Sequence, residues 1–140
     1  MINVLKIIIV VMALCNTTYA GDLMLGKKYV LIKPIYIMGQ YNDIGNKILN
    51  KQSARAFLSS VKLAKRNFTA FQEVVPIGTT IVILKLTPKP WYLYFNSDYY
   101  LVALDPDLSR GVEVELPIDD AFKGSLDGLS PEIFKRVELQ

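Results

Sequence analysis

The chain has 140 residues, sixteen Lys and Arg against thirteen Asp and Glu, and 51% apolar residues. This balance excludes a disordered polymer and gives nucleic acid no strong basic attraction. There is no histidine and a single cysteine, Cys15, which removes the commonest general base, the Ser-His and Cys-His nucleophile pairs and the commonest transition-metal ligand.

The first twenty residues read as an export signal. Lys6 precedes the apolar run Ile7 to Leu14, and Thr18-Tyr19-Ala20 places small residues three and one positions before Gly21. The run is too short to cross a bilayer, which needs about 20 apolar residues. The plainer alternative is an uncleaved N-terminal core helix. Lipidation at Cys15 is disfavoured because Leu14, just before it, is large. Cleavage after Ala20 would leave 21–140 as one domain in the periplasm or outside the cell. That domain would have no thiol and fifteen basic against thirteen acidic residues, since only Lys6 is lost.

In the remaining chain, Lys28 to Met38 is apolar and β-branched and predicts a strand, which Pro34 either kinks, confines to an edge or splits in two. Gly39 to Asn46 is rich in turn formers and predicts its end. From about Gln52 to Asn67 the period changes: Ala54, Phe57, Leu58, Val61 and Phe68 fall on one side of a predicted helix. Lys51, Arg55, Lys62 and Arg66 then form a narrow basic stripe, either a solvated face or a docking surface for an acidic partner. Val74 to Gly78 predicts a turn and Thr79 to Leu86 a strand. Trp91 to Phe95 and Tyr99 to Leu104, around Asn96-Ser97-Asp98, predict a hairpin. Val112 to Leu116 alternates as a strand with two wet glutamates, and Ser130-Pro131-Glu132 predicts a short terminal helix from Pro131 to Val137. The expected core includes Val30, Ile32, Phe57, Leu58, Val61, Ile81, Ile83 and Val102.

These elements predict a mainly β (α+β) fold, a small antiparallel barrel or sandwich with one amphipathic helix packed on it and a short C-terminal helix. Val75-Pro76-Ile77-Gly78-Thr79 and the apolar strand after it, with Tyr29 to Ile37 as an opening strand, resemble exported bacterial SH3-like domains. The predicted 51–67 helix departs from that pattern. The resemblance implies binding of cell-wall or protein ligands without catalysis.

The remaining chemistry is sparse. Asp105-Pro106-Asp107-Leu108-Ser109 starts like a calcium loop, but its glycine is displaced and Leu116 stands where a glutamate ligand is needed, so an Asp-rich turn is the simpler reading. Asp98, Asp105, Asp107, Glu113 and Glu115 fall in turns and on wet strand faces rather than in a defined acid pair, and Ser59, Ser60 and Lys62 match no motif. We therefore expect no catalytic residue, no metal and no cofactor. The aromatic run Trp91, Tyr92, Tyr94 and Tyr99 is the candidate contact surface, with Arg55, Lys62 and Arg66 as an electrostatic rim. The expectation is an exported, non-catalytic binding protein of the bacterial envelope, an immunity or inhibitor protein against a toxin or hydrolase. The alternatives are a peptidoglycan-binding module and a structural subunit of an envelope assembly. Neither nucleic acid nor a membrane span is expected.

Overall fold

A computed structural model describes residues 23–88 and 97–138. Nine strands run through them: β1 (Lys28–Leu31), β2 (Ile35–Tyr41), β3 (Ala54–Ser59), β4 (Thr69–Val75), β5 (Thr80–Leu86), β6 (Tyr99–Asp105), β7 (Val114–Pro117), β8 (Lys123–Leu126) and β9 (Phe134–Arg136). Eight form one sheet in the order β4-β2-β3-β7-β6-β5-β1-β9. It is mixed, because β3 and β7 are parallel, while the other pairs are antiparallel as in the small, mainly antiparallel barrel or sandwich that the sequence predicts.

Pro34 splits the opening strand into β1 and β2, since it cannot donate to a ladder. The two halves nevertheless keep one register. From Val30↔Thr80 to Ile35↔Val75 each side advances by five residues, so β1–β2 and β4–β5 act as two long arms, each bent once. The β1–β2 arm also pairs β3, and the β4–β5 arm also pairs β6. The pairs β3·β7 and β7·β6 complete a closed ring of ladders. Alternate residues point inward, so Ile37, Leu58, Ile81, Ile83, Val102 and Leu116 meet in one core. Phe122 and Phe134, with ring centroids 5.8 Å apart, extend it. Of the expected core, Leu58, Ile81, Ile83 and Val102 are buried, Val30 and Phe57 are half-buried, and Ile32 and Val61 are 42% and 57% exposed.

The predicted helices are not formed; among the described residues there is no α-helix. The segment read as a 52–67 helix is a turn at 51–53, strand β3 and an irregular loop at 60–68. Ala54 and Leu58 fit both a 3.6-residue and a 2-residue period, but Ala56 fits only the latter. Ala54, Ala56 and Leu58 are buried, while Arg55, Phe57 and Ser59 face outward. Alanine favours helices intrinsically, yet propensity is a weak prior against a ladder on both sides. The interior of a small closed sheet also has room for small side chains beside large ones. Ser59 ends the strand locally: its hydroxyl donates to the Val61 carbonyl at 2.8 Å and accepts the Val61 N–H at 3.3 Å.

In place of the predicted C-terminal helix there is a single turn at 131–133. The Ser130 Oγ accepts the Glu132 N–H, and the Ser130 carbonyl accepts the N–H groups of Ile133 and Phe134. Phe134 is then drawn into the core opposite Leu31, and Phe134–Arg136 continue as a strand. Besides β3 and β9, two further strands lie where the sequence predicts none. β4 takes up Val74 and Val75, assigned to a turn, and β8 forms a hairpin through Asp127-Gly128, both in the left-handed region.

A stack braces the β2–β4 ladder. Gly39 faces Phe71, and a Cβ there would stand 2.1 Å from Phe71 Cε1. The Arg110 guanidinium covers the Phe71 ring at 4.5 Å, and its Nε donates to Glu73 Oε1 at 2.8 Å. The ring therefore shields the glycine backbone while its own face meets a cation.

Candidate binding cleft

The outer face of β2, β3, β7 and β6 carries an open cleft of about 690 Å³. Its geometry follows from strand alternation: because Ala56, Leu58, Val114, Leu116 and Tyr100 point inward, Arg55, Phe57, Glu115, Pro117 and Tyr99 must point outward. The ladder brings them together through the register pairs Gln40↔Arg55, Phe57↔Glu115 and Tyr99↔Pro117. The 60–68 loop contributes Ser60, Val61 and Leu63 to the lining, and Thr87, Pro88 and Ser97 also line it. A smaller hollow of about 170 Å³, lined by Met38, Gln40, Leu63, Ala64, Arg66 and Phe68, shares Gln40 and Leu63 with the cleft.

The predicted contact residues separate into three groups. Arg55 and Tyr99 line the cleft, as expected of a shared surface. Arg66 lines the adjoining hollow, and Lys62 is exposed on the loop between. The basic stripe on one helix face does not exist: Lys51 sits in a turn, Arg55 on β3, and Lys62 and Arg66 on the 60–68 loop. Trp91, Tyr92 and Tyr94 lie outside the described residues, although both residues that flank their segment there, Pro88 and Ser97, line the cleft.

Phe57, Gln40, Leu63 and Glu115 were not singled out as binding residues. The signal for Phe57 was available: read at period two beside Arg55, it belongs to the wet face rather than to the core. Glu115 was correctly placed on a wet strand face, but only the parallel β3·β7 pairing sets it opposite Phe57.

Among the described residues, the side chains of Arg55, Lys62, Lys65 and Arg66 form no ion pair, and Glu115 forms none either. Asp119, also on the cleft wall, is occupied: its Oδ1 accepts the N–H groups of Ala121 at 3.0 Å and Phe122 at 3.1 Å. The cleft thus presents aromatic and aliphatic surface with unpaired charge at hand. Concave, mostly apolar surfaces with a few polar groups are the usual form of a ligand site. The Asp-rich turn has a local role: Asp107 Oδ1 accepts the Ser109 N–H at 2.9 Å, and the bonds from Ser109, side chain and backbone, hold the Asp107 carboxyl below its usual range.

A second charged cluster is built differently. The hydroxyl of the buried Tyr29 donates to Asp127 Oδ2 at 2.8 Å, and Arg136 donates to both carboxylate oxygens, through Nε at 2.9 Å and through its terminal nitrogen. Lys27 approaches to 3.7 Å. The Asp127 side chain is 9% exposed. Burial alone would raise its pKa, but the hydrogen bonds from Arg136 and Tyr29 and the charges of Arg136 and Lys27 outweigh burial and lower it. Tyr29 is pushed upward, first by burial and then by its bond to Asp127.

No family model, curated protein or solved structure matches this chain.

Proposed function

We propose that this chain is an exported, non-catalytic binding protein of the bacterial envelope that occludes a toxin or hydrolase, as an immunity or inhibitor protein does. The observation that carries this reading is the meeting of Arg55, Phe57 and Tyr99 on one concave outer face, with Arg55 free of any ion pair among the described residues. Aromatic and arginine side chains are the commonest energetic anchors of protein interfaces. The signal-like first twenty residues and the lack of histidine support the export and the non-catalytic parts of the reading.

The test is a pull-down with the tagged protein from envelope extract, analysed by mass spectrometry and repeated in high salt. A single stoichiometric toxin or hydrolase supports the reading, and recovery of nothing counts against it. A second reading, a cell-wall glycan module, draws on Phe57 and Tyr99 lining the same cleft as Gln40 and Ser59. Co-sedimentation with purified peptidoglycan, lost on Tyr99→Ala, would favour it over the first.

A further inference from the structure

We infer that the outer-face cleft takes an acidic peptide segment that inserts one large apolar side chain between Phe57 and Tyr99. This rests on reading the cleft as the surface that meets the partner. Three features of the cleft define the ligand.

The first is size. About 690 Å³ holds a few side chains, not a folded domain, so the occupant is a projecting segment of a larger partner. The second is wall chemistry. Phe57, Tyr99, Leu63, Pro117 and the 57%-exposed Val61 make much of the lining apolar. Aliphatic and proline surface returns no hydrogen bond to a sugar hydroxyl, which loses its water on entry. A leucine or phenylalanine side chain gains from the same burial, at about 25 cal/mol for each Å² removed from water. This favours a peptide over a glycan.

The third is charge. Arg55 lies on the cleft wall, and Lys62, Lys65 and Arg66 lie on the loop that frames it, none of them neutralised by a described residue. Such a rim attracts carboxylates, and the planar guanidinium of Arg55 suits a bidentate carboxylate bond. Glu115, which forms no ion pair among the described residues, lies beside Phe57 on the neighbouring strand: it accepts a peptide N–H, and its charge, with that of Asp119, turns the segment's carboxylates toward Arg55 and the 60–68 loop. An extended peptide that carries carboxylates beside an apolar residue answers all three requirements.

The test is a fluorescence-polarisation titration of the purified protein with three labelled hexapeptides: Asp-Glu-Leu-Phe-Glu-Asp, the apolar-free Asp-Glu-Ser-Ser-Glu-Asp, and the charge-reversed Lys-Arg-Leu-Phe-Arg-Lys. The first is expected to bind about tenfold or more tighter than either other peptide. Its affinity is expected to fall as salt rises from about 50 to about 500 mM. Arg55→Glu should lower it about tenfold with an unchanged melting temperature, and Phe57→Ala should lower it at constant salt dependence. Equal binding of the three peptides, or full binding by Arg55→Glu, overturns the inference. If no peptide binds but Tyr99→Ala abolishes capture of the envelope partner, the peptide inference fails and the cleft remains the binding surface. If capture is indifferent to both Arg55→Glu and Tyr99→Ala, the reading of the cleft itself fails.

Discussion

The Asp127 carboxylate is satisfied inside the molecule, whereas Arg55 and Glu115 of the outer cleft form no ion pair among the described residues. Asp127 receives Tyr29 and Arg136 by hydrogen bonds and Lys27 by charge, and it ties the β8 hairpin to β1 and β9. Arg55 and Glu115 line a single cleft and form no ion pair with each other or with any described residue. A charge satisfied inside the molecule contributes to folding and has little left for a partner. A charge left over at a concave apolar surface contributes little to folding and is available for one. The two regions therefore divide stability from recognition, and the same kind of substitution should have opposite consequences in each.

The largest expected effect on stability is at Asp127. Asp127→Ala leaves the buried Tyr29 hydroxyl without its acceptor and should destabilise the fold by about 2 kcal/mol, less than a fully buried pair because Arg136 and Lys27 reach solvent. Urea denaturation at neutral pH measures it. The pH dependence sharpens the point. The folded pKa of Asp127 lies below its unfolded value, so its stabilisation is present above the ordinary carboxylate range and is lost as pH falls below about 4. The gap in stability between wild type and Asp127→Asn should accordingly narrow toward pH 2. Tyr29 has the opposite sign. Its folded pKa lies above the unfolded value, so its contribution is present below about pH 10 and declines as pH rises beyond it. Tyr29→Phe should remove that alkaline decline, a difference readable from melts between about pH 9 and pH 11.

Smaller effects belong to the β2–β4 ladder. Arg110→Ala removes both the cover on Phe71 and the partner of Glu73 and should cost about 1 kcal/mol. Gln72 carries a buried amide whose Nε2 and Oε1 make no hydrogen bond. Gln72→Met keeps the volume and removes the unmet polar atoms, so it should be neutral or stabilising by about 1 kcal/mol. The smallest effect is in the cleft, where Arg55→Glu should shift unfolding by no more than about 0.5 kcal/mol.

How far the sequence discloses this molecule depends on how local each signal is. Pro34, the apolar run of β5 and the alternation before Pro117 are local, and they locate the strand break at Pro34 and the cores of β5 and β7. The segment from Ala54 to Val61 satisfies two periods at once, and only the ladders with β2 and β7 decide between them. The Ser130 cap is real but lasts one turn, because burying Phe134 beside Phe122 outweighs a short helix. The Asp127-Gly128 dipeptide, with both residues in the left-handed region, is a hairpin signal of the same local kind. At the cleft, Arg55 and Tyr99 were identified for reasons of residue type. Their proximity to Phe57 and Glu115 depends on a parallel pair between distant strands, which no local pattern encodes.

The most direct test of the division between stability and recognition is quantitative capture of the envelope partner by immobilised wild type, Arg55→Glu and Asp127→Asn, each held well below its own melting temperature. The account predicts that Arg55→Glu melts like the wild type yet captures about tenfold less, while Asp127→Asn melts earlier and captures normally. Undiminished capture by Arg55→Glu, or its loss in Asp127→Asn while still folded, would contradict it.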